Sequence, residues 1–418
     1  MSPPPDASEV ASSLLREKGL HLQSLEVLQS LWAGYGQICR ITATPDSPSS
    51  SASTSRTTST ASTPQELQSY ILKLITPPPI SRADDEGHIR KILSYQVEQY
   101  FYTHLAPQLP PSIPVAKALS SIREPRADGT LKMAMILNDL KQDFPVAGEK
   151  RDVLNPIQVH AALDWLSSFH AFWWPRVKDI EHDSLIRPPL EQTTRKPPPN
   201  NTSVWLSGGY TYLATRQKEY TALLNDHTSE WNLPLTDWEE DEYSISHFAA
   251  AALSPPKKPR EWTPTTPYVT LIHGDVKSEN LFTTRDGTSL VFYDFQYVGL
   301  GLGVCDLAKL FTCSVPLSML LSSNSDAPLP RELAMQDGEK ALLQRYWTKL
   351  KGDSGKEYEW GVFVRHWEVA LVDWLRFQAG WGFWGNTEWL EARVRWILKD
   401  EEWREGVMGM GKMAGLAV

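Results

Sequence analysis

Residues 273–280 read His273-Gly274-Asp275-Val276-Lys277-Ser278-Glu279-Asn280, and after thirteen intervening residues comes Asp294-Phe295-Gln296. The spacing sets a carboxylate, an amide and a second carboxylate in fixed order, with strand-like residues between them. Leu271-Ile272 is a short apolar run that delivers His273 into a tight turn, where Gly274 permits close backbone approach. Ser289 to Tyr293 is β-rich, and Arg285-Asp286-Gly287-Thr288 before it predicts a hairpin that ends at Asp294. A plain hairpin with ordinary turn carboxylates is the alternative, and either motif alone would leave it open. Both together, on a strand–turn–strand pattern, point to a nucleotide site.

Each residue type suits one part of phosphoryl transfer, a reaction that needs positioning and charge more than covalent help from the protein. Asp275 is placed to accept or orient the proton of an attacking hydroxyl. Lys277 can reach the transferred group and offset its charge. Asn280 and Asp294 offer hard oxygens suited to Mg²⁺.

These residues resemble the aminoglycoside phosphotransferase and choline kinase-like superfamily, near its ecdysteroid kinase-like branch of small-molecule kinases. The resemblance runs from about Leu25 to Trp403 and is strongest between Leu271 and Leu310. It implies an α+β, two-lobed, protein kinase-like fold, with an antiparallel N-lobe sheet plus one helix and a larger, mainly helical C-lobe. The implied lobes are residues 1–140 and 141–418. It implies ATP and Mg²⁺ as cofactors, Asp275 as base, and Asn280 and Asp294 as metal ligands. Lys277 is more like the protein-kinase catalytic loop than the phosphotransferases.

The other parts of such an N-lobe have candidates upstream. Leu28 to Trp32 and Gln37 to Thr42 read as strands around Gly34-Tyr35-Gly36, the hairpin that covers phosphates in this fold; a simple turn is the rival reading. Tyr70 to Ile75 is a compact strand with Lys73 amid five apolar residues, and a buried ammonium needs a partner. The resemblance supplies nucleotide phosphates and a helix Glu; a lysine turned to water is the alternative. Gly87 to Leu105 has helical periodicity, and Glu98 on it is the candidate partner of Lys73 unless it merely faces solvent. Leu131 to Leu137 reads as a strand. Asn138-Asp139-Leu140 after it resembles the hinge whose backbone pairs with adenine.

Asp306, twelve residues after Asp294, is expected to start a helix, bind free N–H groups there and brace the catalytic loop, not a metal. That interval leaves no room for the activation segment of a protein kinase, which disfavours peptide substrates. The chain instead spends over a hundred residues after Asp306 on helices. Trp360, Trp367, Trp374 and Trp381 recur every seven residues, as do Trp389, Trp396 and Trp403, so each set is expected on one helix face. A packing seam is the plain reading and an apolar or cation-binding wall the functional one. Asp373, Arg376, Asn386 and Glu388 lie nearby as possible acceptor contacts. Pro156 to Trp174 predicts the first long helix of the C-lobe, with His170 as a hydrogen-bonded core residue in preference to a catalytic one. Tyr210 to Leu224 predicts another, with Tyr210 and Arg216 as weaker acceptor candidates.

Composition bounds the rest. A chain of 418 residues can bury a sizeable core, and a net charge of −9 gives no electrostatic support to nucleic-acid or anionic-membrane binding. Cys39, Cys305 and Cys313 have no metal-ligand spacing and suit a reducing compartment. No secretory signal is expected at the start, and no apolar run reaches the roughly 18 residues of a membrane helix. The expectation is a cytoplasmic protein. Pro45 to Thr63 reads as a disordered insertion; Arg187 to Asn201 and Ser254 to Thr266 read as loops. Lys257-Lys258-Pro259-Arg260 reads as solvated loop before targeting signal. The expected activity is transfer of the ATP γ-phosphoryl to a hydroxyl, less readily an amine, of a small-molecule acceptor. A nucleotide-binding pseudokinase acting as a regulator or scaffold is the alternative. Oligomeric state is not readable.

Overall fold

The computed structural model describes residues 6–46, 67–78, 85–125, 131–194, 203–240, 242–258, 261–322 and 328–416. From residue 47 on, the expected insertion lies outside them, as do residues 195–201 of one proposed loop and Pro259-Arg260 of the basic run. The chain divides into two compact units, Met1–Asp85 with Tyr102–Gln108 and Ala116–Gln142, and Glu86–Phe101 with Leu109–Val115 and Asp143–Val418. The first unit is therefore discontinuous, and the helix after residue 85 belongs with the second.

The first unit is a five-stranded antiparallel sheet under one α-helix. Helix α1 (Ala7–Arg16) precedes strands β1 (Leu20–Ser30), β2 (Gly36–Pro45), β3 (Gln68–Ile75), β4 (Ala118–Pro125) and β5 (Leu131–Asn138), which pair in the order β1-β2-β3-β5-β4. Strand β1 begins well before Leu28 because its whole length pairs with β2, Leu20 opposite Pro45. Asp6 caps α1 by accepting from the Ser8 N–H, 3.0 Å. Val10, Ala11, Leu14 and Leu15 of α1 pack on Cys39, Ile41, Ala43, Leu72, Leu74, Ala134 and Ile136. Alternate strand residues supply that face, as the two-residue period requires. Lys73 therefore points to the opposite face, in register between Ile38 and Met135.

In the second unit, helix α2 (Glu86–Tyr100) runs into a π-helical turn at Phe101–Leu105. Strand β6 (Val146–Ala147) and helix α3 (Pro156–Trp173) follow, then α4 (Pro189–Thr194), α5 (Gln217–Asn225) and α6 (Asn232–Thr236). The helix expected from Tyr210 starts only at Gln217, after a 3₁₀ turn at Leu213–Thr215, because Arg216 leaves helical geometry. A small hairpin, β7 (Trp238–Glu240) and β8 (Tyr243–Ser244), leads into α7 (Ile245–Leu253). Four short strands then frame the motif region: β9 (Thr270–Ile272), β10 (Leu281–Thr283), β11 (Leu290–Phe292) and β12 (Gly299–Gly301). Strand β10 pairs with β11 and β6, and β9 with β12, all antiparallel. Helices α8 (Val304–Cys313), α9 (Leu317–Leu320), α10 (Asp337–Ser354), α11 (Trp360–Trp381), α12 (Thr387–Leu398) and α13 (Glu401–Met413) complete the unit. The fold is thus a kinase-like α+β fold with an antiparallel sheet and a mostly helical remainder. Among the described residues no helix is long and apolar enough to cross a membrane.

The two tryptophan series part ways. Trp360, Trp367, Trp374 and Trp381 all lie on α11, but Trp403 sits on α13, beyond a break at Lys399 and Asp400. Trp367, Trp374, Trp389 and Trp403 are buried, whereas Trp381 and Trp396 are exposed. The seven-residue spacing holds a packing seam along most of its length and releases it where the helices run out of neighbours.

Candidate active site

The turn after β9 is built on Asp306. Its carboxylate is wholly buried and accepts the backbone N–H of His273 at 2.7 Å and of Gly274 at 2.9 Å. His170 on α3 adds a third contact, Nε2 to Oδ2 at 3.2 Å, while its Nδ1 faces the Tyr346 hydroxyl at 2.8 Å. With Nε2–H donating to the carboxylate, Nδ1 accepts from Tyr346. Burial pushes the Asp306 carboxyl up, but the His170 hydrogen bond and the electrostatic pull of His170, Lys309 and His273 carry it below the usual value. Asp306 does brace the loop. It does so by bonding loop amides with both oxygens, not by capping its own helix as expected of an acid at that position.

Gly274 has φ +85, and a β-carbon there would lie 2.3 Å from the Tyr297 carbonyl oxygen and 2.7 Å from the Gly209 nitrogen. Only glycine allows three backbone segments to meet at this point. His273 is sealed in the core, where Nε2 faces the Tyr293 carbonyl at 2.9 Å and Nδ1 accepts the Asp275 N–H at 3.2 Å. Burial lowers the affinity of this imidazole for a proton, against the pull of Asp306 and Asp275. A neutral ring that accepts through Nδ1 and donates through Nε2 fits both contacts.

Asp275, Lys277 and Asn280 come together. The Asn280 Nδ2 donates to the Asp275 backbone oxygen at 2.8 Å and to Oδ2 at 2.9 Å. The Lys277 ammonium lies 3.2 Å from the same Oδ2 and 2.7 Å from Glu279. Burial alone would lower the Lys277 pKa, but the charges of Asp275 and Glu279 hold it raised. Among the described residues, Asp275 Oδ1 and Asn280 Oδ1 are left without a protein donor. Glu279 carries no sequence signal of its own beyond its place in the 273–280 run, and the structure sets it against Lys277.

Asp294 stands just beyond the β10–β11 ladder, next to the Tyr293 N–H to Asn280 carbonyl bond of 3.0 Å. Asn280 and Asp294 thus flank the same open end of the hairpin. Asp294 has φ 65° and ψ 58°, a left-handed conformation that non-glycine residues adopt at a cost. Its neighbours fix it there. Phe295 stacks on Phe101 with ring centroids 3.7 Å apart and meets Phe169 and His273. Gln296 receives the Ser94 hydroxyl at 3.4 Å and, through its carbonyl, the Trp205 indole N–H at 2.8 Å. Glu98 lies on α2 between those two contacts and is only 2% exposed.

In the first unit, Lys73 is 7% exposed, so the lysine does not turn to water. Gly36 has φ +138, and a β-carbon on it would fall 2.0 Å from the Leu74 carbonyl oxygen; Gly34, φ +74, has open space around it. Asn138 gives its N–H to the Lys117 carbonyl at 3.0 Å and takes the Lys117 N–H on Oδ1 at 2.6 Å. Asp139 accepts from Arg40 at 3.0 Å and Ser69 at 2.9 Å, tying β2, β3 and β5 together, and Leu140 is buried behind it.

On the other side of Gly274 the second unit presents an aromatic wall. Tyr210 packs against Tyr297 at 5.4 Å and Phe377 at 5.5 Å. Burial, then the charge of Asp275, pushes the Tyr210 phenol far above its usual value. Arg216 is spent on structure, bonding the Tyr210 carbonyl at 2.5 Å and Glu219 at 3.0 Å. Arg376 does the same with Asp373 at 2.9 Å and the Thr211 carbonyl at 2.7 Å. Asn386 donates to the Phe311 and Val315 carbonyls, and so clamps the end of α8.

The Asn280 amide oxygen and the carboxylates of Asp294 and Asp275 are hard donors of the kind Mg²⁺ takes alongside waters and substrate phosphates. No cluster of three or more His, Cys, Asp or Glu able to hold a metal occurs among the described residues.

Solved structures similar to this chain include an amicoumacin kinase in complex with AMP-PNP, Ca²⁺ and Ami, at 11% identity and a TM-score of 0.43, covering 97% of this chain and 94% of that one. An ethanolamine kinase from Plasmodium vivax matches at 14% identity and 0.38, covering 93% and 84%. The choline kinase LicA from Streptococcus pneumoniae matches at 12% and 0.36, covering 96% and 97%. No curated protein sequence matches. The model of the ecdysteroid kinase-like family matches residues 49–326, about two thirds of the chain and all of the motif region. The chain belongs to the ecdysteroid kinase-like family.

Proposed function

We propose that this protein is an ATP- and Mg²⁺-dependent phosphotransferase that moves the γ-phosphoryl group to a hydroxyl of a small acceptor, and less readily to an amine. The observation that carries this reading is the bonded set of Asp275, Lys277 and Asn280 at the open end of the Asp294 hairpin. Asn280 and Lys277 converge on one oxygen of Asp275 and leave the other to receive a hydroxyl proton or orient it. Asn280 Oδ1 and Asp294 would hold the metal. Bound Mg²⁺–ATP supplies the phosphoryl group and neutralises charge that develops on it. Lys277, restrained by Glu279, offsets further charge on the transferred group. Lys73, Glu98, Gly34, Gly36 and Leu140 are assigned to the nucleotide, with Asn138 shaping the hinge backbone and not bonding adenine through its occupied N–H. Tyr210 and Tyr297 flank the acceptor. The division into a nucleotide lobe of residues 1–140 and a catalytic, acceptor-binding lobe of residues 141–418 is part of the same proposal.

Calorimetric titration with Mg²⁺–AMP-PNP, followed by an ADP-release assay over a panel of small alcohols, tests it. Asp294→Ala should lose magnesium-dependent nucleotide binding. Asp275→Asn should keep nucleotide binding and lose turnover by about 10²–10⁴-fold. Nucleotide binding with no turnover on any alcohol would favour the pseudokinase. Loss of binding in Asp275→Asn would remove that residue from its assigned role.

A further inference from the structure

Among the described residues, Lys309 is a buried cation near Asp275 to which the proposed phosphoryl transfer gives no role. It lies on α8, one turn after Asp306, and is 4% exposed. A β-carbon built on Gly209 would sit 3.0 Å from its ammonium and 3.6 Å from the Gly274 carbonyl oxygen, so Lys309 Nζ lies beside the turn that carries Asp275. The Cys313 thiol, one turn further along α8, feels the charges of Asp275, Lys277 and Lys309 together. Around the ammonium stand the rings of Trp374 at 5.9 Å and Tyr210 at 6.0 Å, the outer limit of a useful cation–π contact.

Among the described residues, the other buried cations of this unit each have at least one acceptor, Arg187 through the Lys257 carbonyl. Arg216 has Glu219 and a carbonyl, Arg376 has Asp373 and a carbonyl, and Arg393 has Glu339 and a carbonyl. Lys277 has two carboxylates. Among the described residues, Lys309 has neither a hydrogen bond nor an ion pair. A desolvated ammonium without an acceptor is unfavourable, and it becomes favourable when an anion completes it.

We propose that Lys309 is a specificity residue for an anionic acceptor: it binds a carboxylate of the substrate while the aromatic wall of Tyr210 and Trp374 holds the carbon skeleton and Asp275 receives the hydroxyl. This rests on the phosphotransferase reading and narrows the acceptor to hydroxy acids. Amino alcohols, which would set one ammonium against another, are excluded.

The test uses three matched probes with one skeleton: 4-(hydroxymethyl)benzoate, 1,4-benzenedimethanol and 4-(hydroxymethyl)benzylamine. Saturation-transfer NMR titration of the whole chain gives their affinities, and calorimetry gives that of Mg²⁺–AMP-PNP. The acid should bind wild type about tenfold or more tighter than the amine. Lys309→Gln should abolish that preference while leaving the nucleotide affinity unchanged. Lys309→Arg should restore a preference for the acid, which a purely structural lysine would not produce. Equal binding of acid and amine to wild type, no binding of the acid, or an undiminished preference in Lys309→Gln would overturn the assignment. A Lys309→Gln variant weakened for nucleotide as much as for the acid would move Lys309 to the phosphate site, also against it. Failure of wild type to bind Mg²⁺–AMP-PNP would sink the phosphotransferase reading instead, and the charge preference of the probes would still report on Lys309.

Discussion

Replacing Asp306 should be far more damaging than its distance from the reacting atoms implies. Its two oxygens receive three donors, from His273, Gly274 and His170, in a place closed to water. A hydrogen bond to a charged group contributes roughly 1.5–3 kcal/mol net, and a buried donor left alone costs about 1–3 kcal/mol. Asp306→Ala strands all three and opens a small cavity, so about 5 kcal/mol should be lost. Asp306→Asn keeps one oxygen acceptor. With that oxygen in the Oδ2 position it still serves His273 and His170, and only the Gly274 bond and the charge go, for about 2–3 kcal/mol. Urea unfolding followed by tryptophan fluorescence measures both, and hydrogen exchange of the peptide spanning residues 270–280 locates the effect. Amide exchange at Gly274 should accelerate in both variants, more in Ala. A loss below about 1 kcal/mol in Asp306→Ala, or unchanged protection at residues 273 and 274, would refute the view that this carboxylate holds the loop.

Gly274→Ala should cost more than about 2 kcal/mol and abolish turnover, because its β-carbon would strike the Tyr297 carbonyl at 2.3 Å; a folded, active alanine variant in a thermal melt and rate assay would be contrary. Arg393→Met leaves Glu339 buried without its cation and should cost about 3–5 kcal/mol by urea titration, with Glu339→Gln in the same chain restoring part of the loss. Glu368 and His366 pull stability in opposite directions with pH. Burial raises the Glu368 carboxyl from 4.5 to about 7, so between those values the folded chain holds a proton the unfolded chain has released, and stability falls as pH rises. Burial lowers His366 from 6.5 to about 4, so across that window the unfolded chain binds the extra proton, and stability falls as pH drops. The two offset in wild type. Glu368→Gln should unmask a melting temperature that climbs from pH 4 to 6.5, with about 3 kcal/mol gained from the buried His366. An unchanged profile would show that Glu368 does not titrate there.

What the sequence made legible is local. The His273–Asn280 turn, the hairpin and Asp294 all lie within about twenty residues, and glycine, alternation and turn chemistry decide their geometry. Lys73 was readable for a similar reason, since a single ammonium in an apolar strand needs an explanation wherever the strand goes. Lys309 sits in the same kind of run, Leu307-Ala308-Lys309-Leu310-Phe311, and could have been noticed by that rule. Asp306 as a brace and His170 as a hydrogen-bonded core residue were readable, but that the two bond each other was not. His170 reaches Asp306 from α3 and Tyr346 reaches His170 from α10, and no periodicity in either helix announces those contacts. The polar residues of α11 misled for the opposite reason. Asp373 and Arg376 look free on a helical wheel, but they bond each other and Arg376 also donates to the Thr211 carbonyl. The tryptophan spacing likewise fixed which residues share a helix face, but helix ends decided which of them are covered.

The stacking of Phe101 on Phe295 has a consequence for biosynthesis. Roughly 190 residues separate the two rings in the chain. A ribosome adding about 5–20 residues per second will therefore hold the nascent α2 segment for on the order of 10–40 s before its partner is even made. Throughout that interval an aromatic side chain with no surface exposure in the finished molecule is on view to solvent or to a chaperone. Slowing translation between codons 101 and 295 should lower the yield of soluble protein, and co-expression of a holdase should recover it.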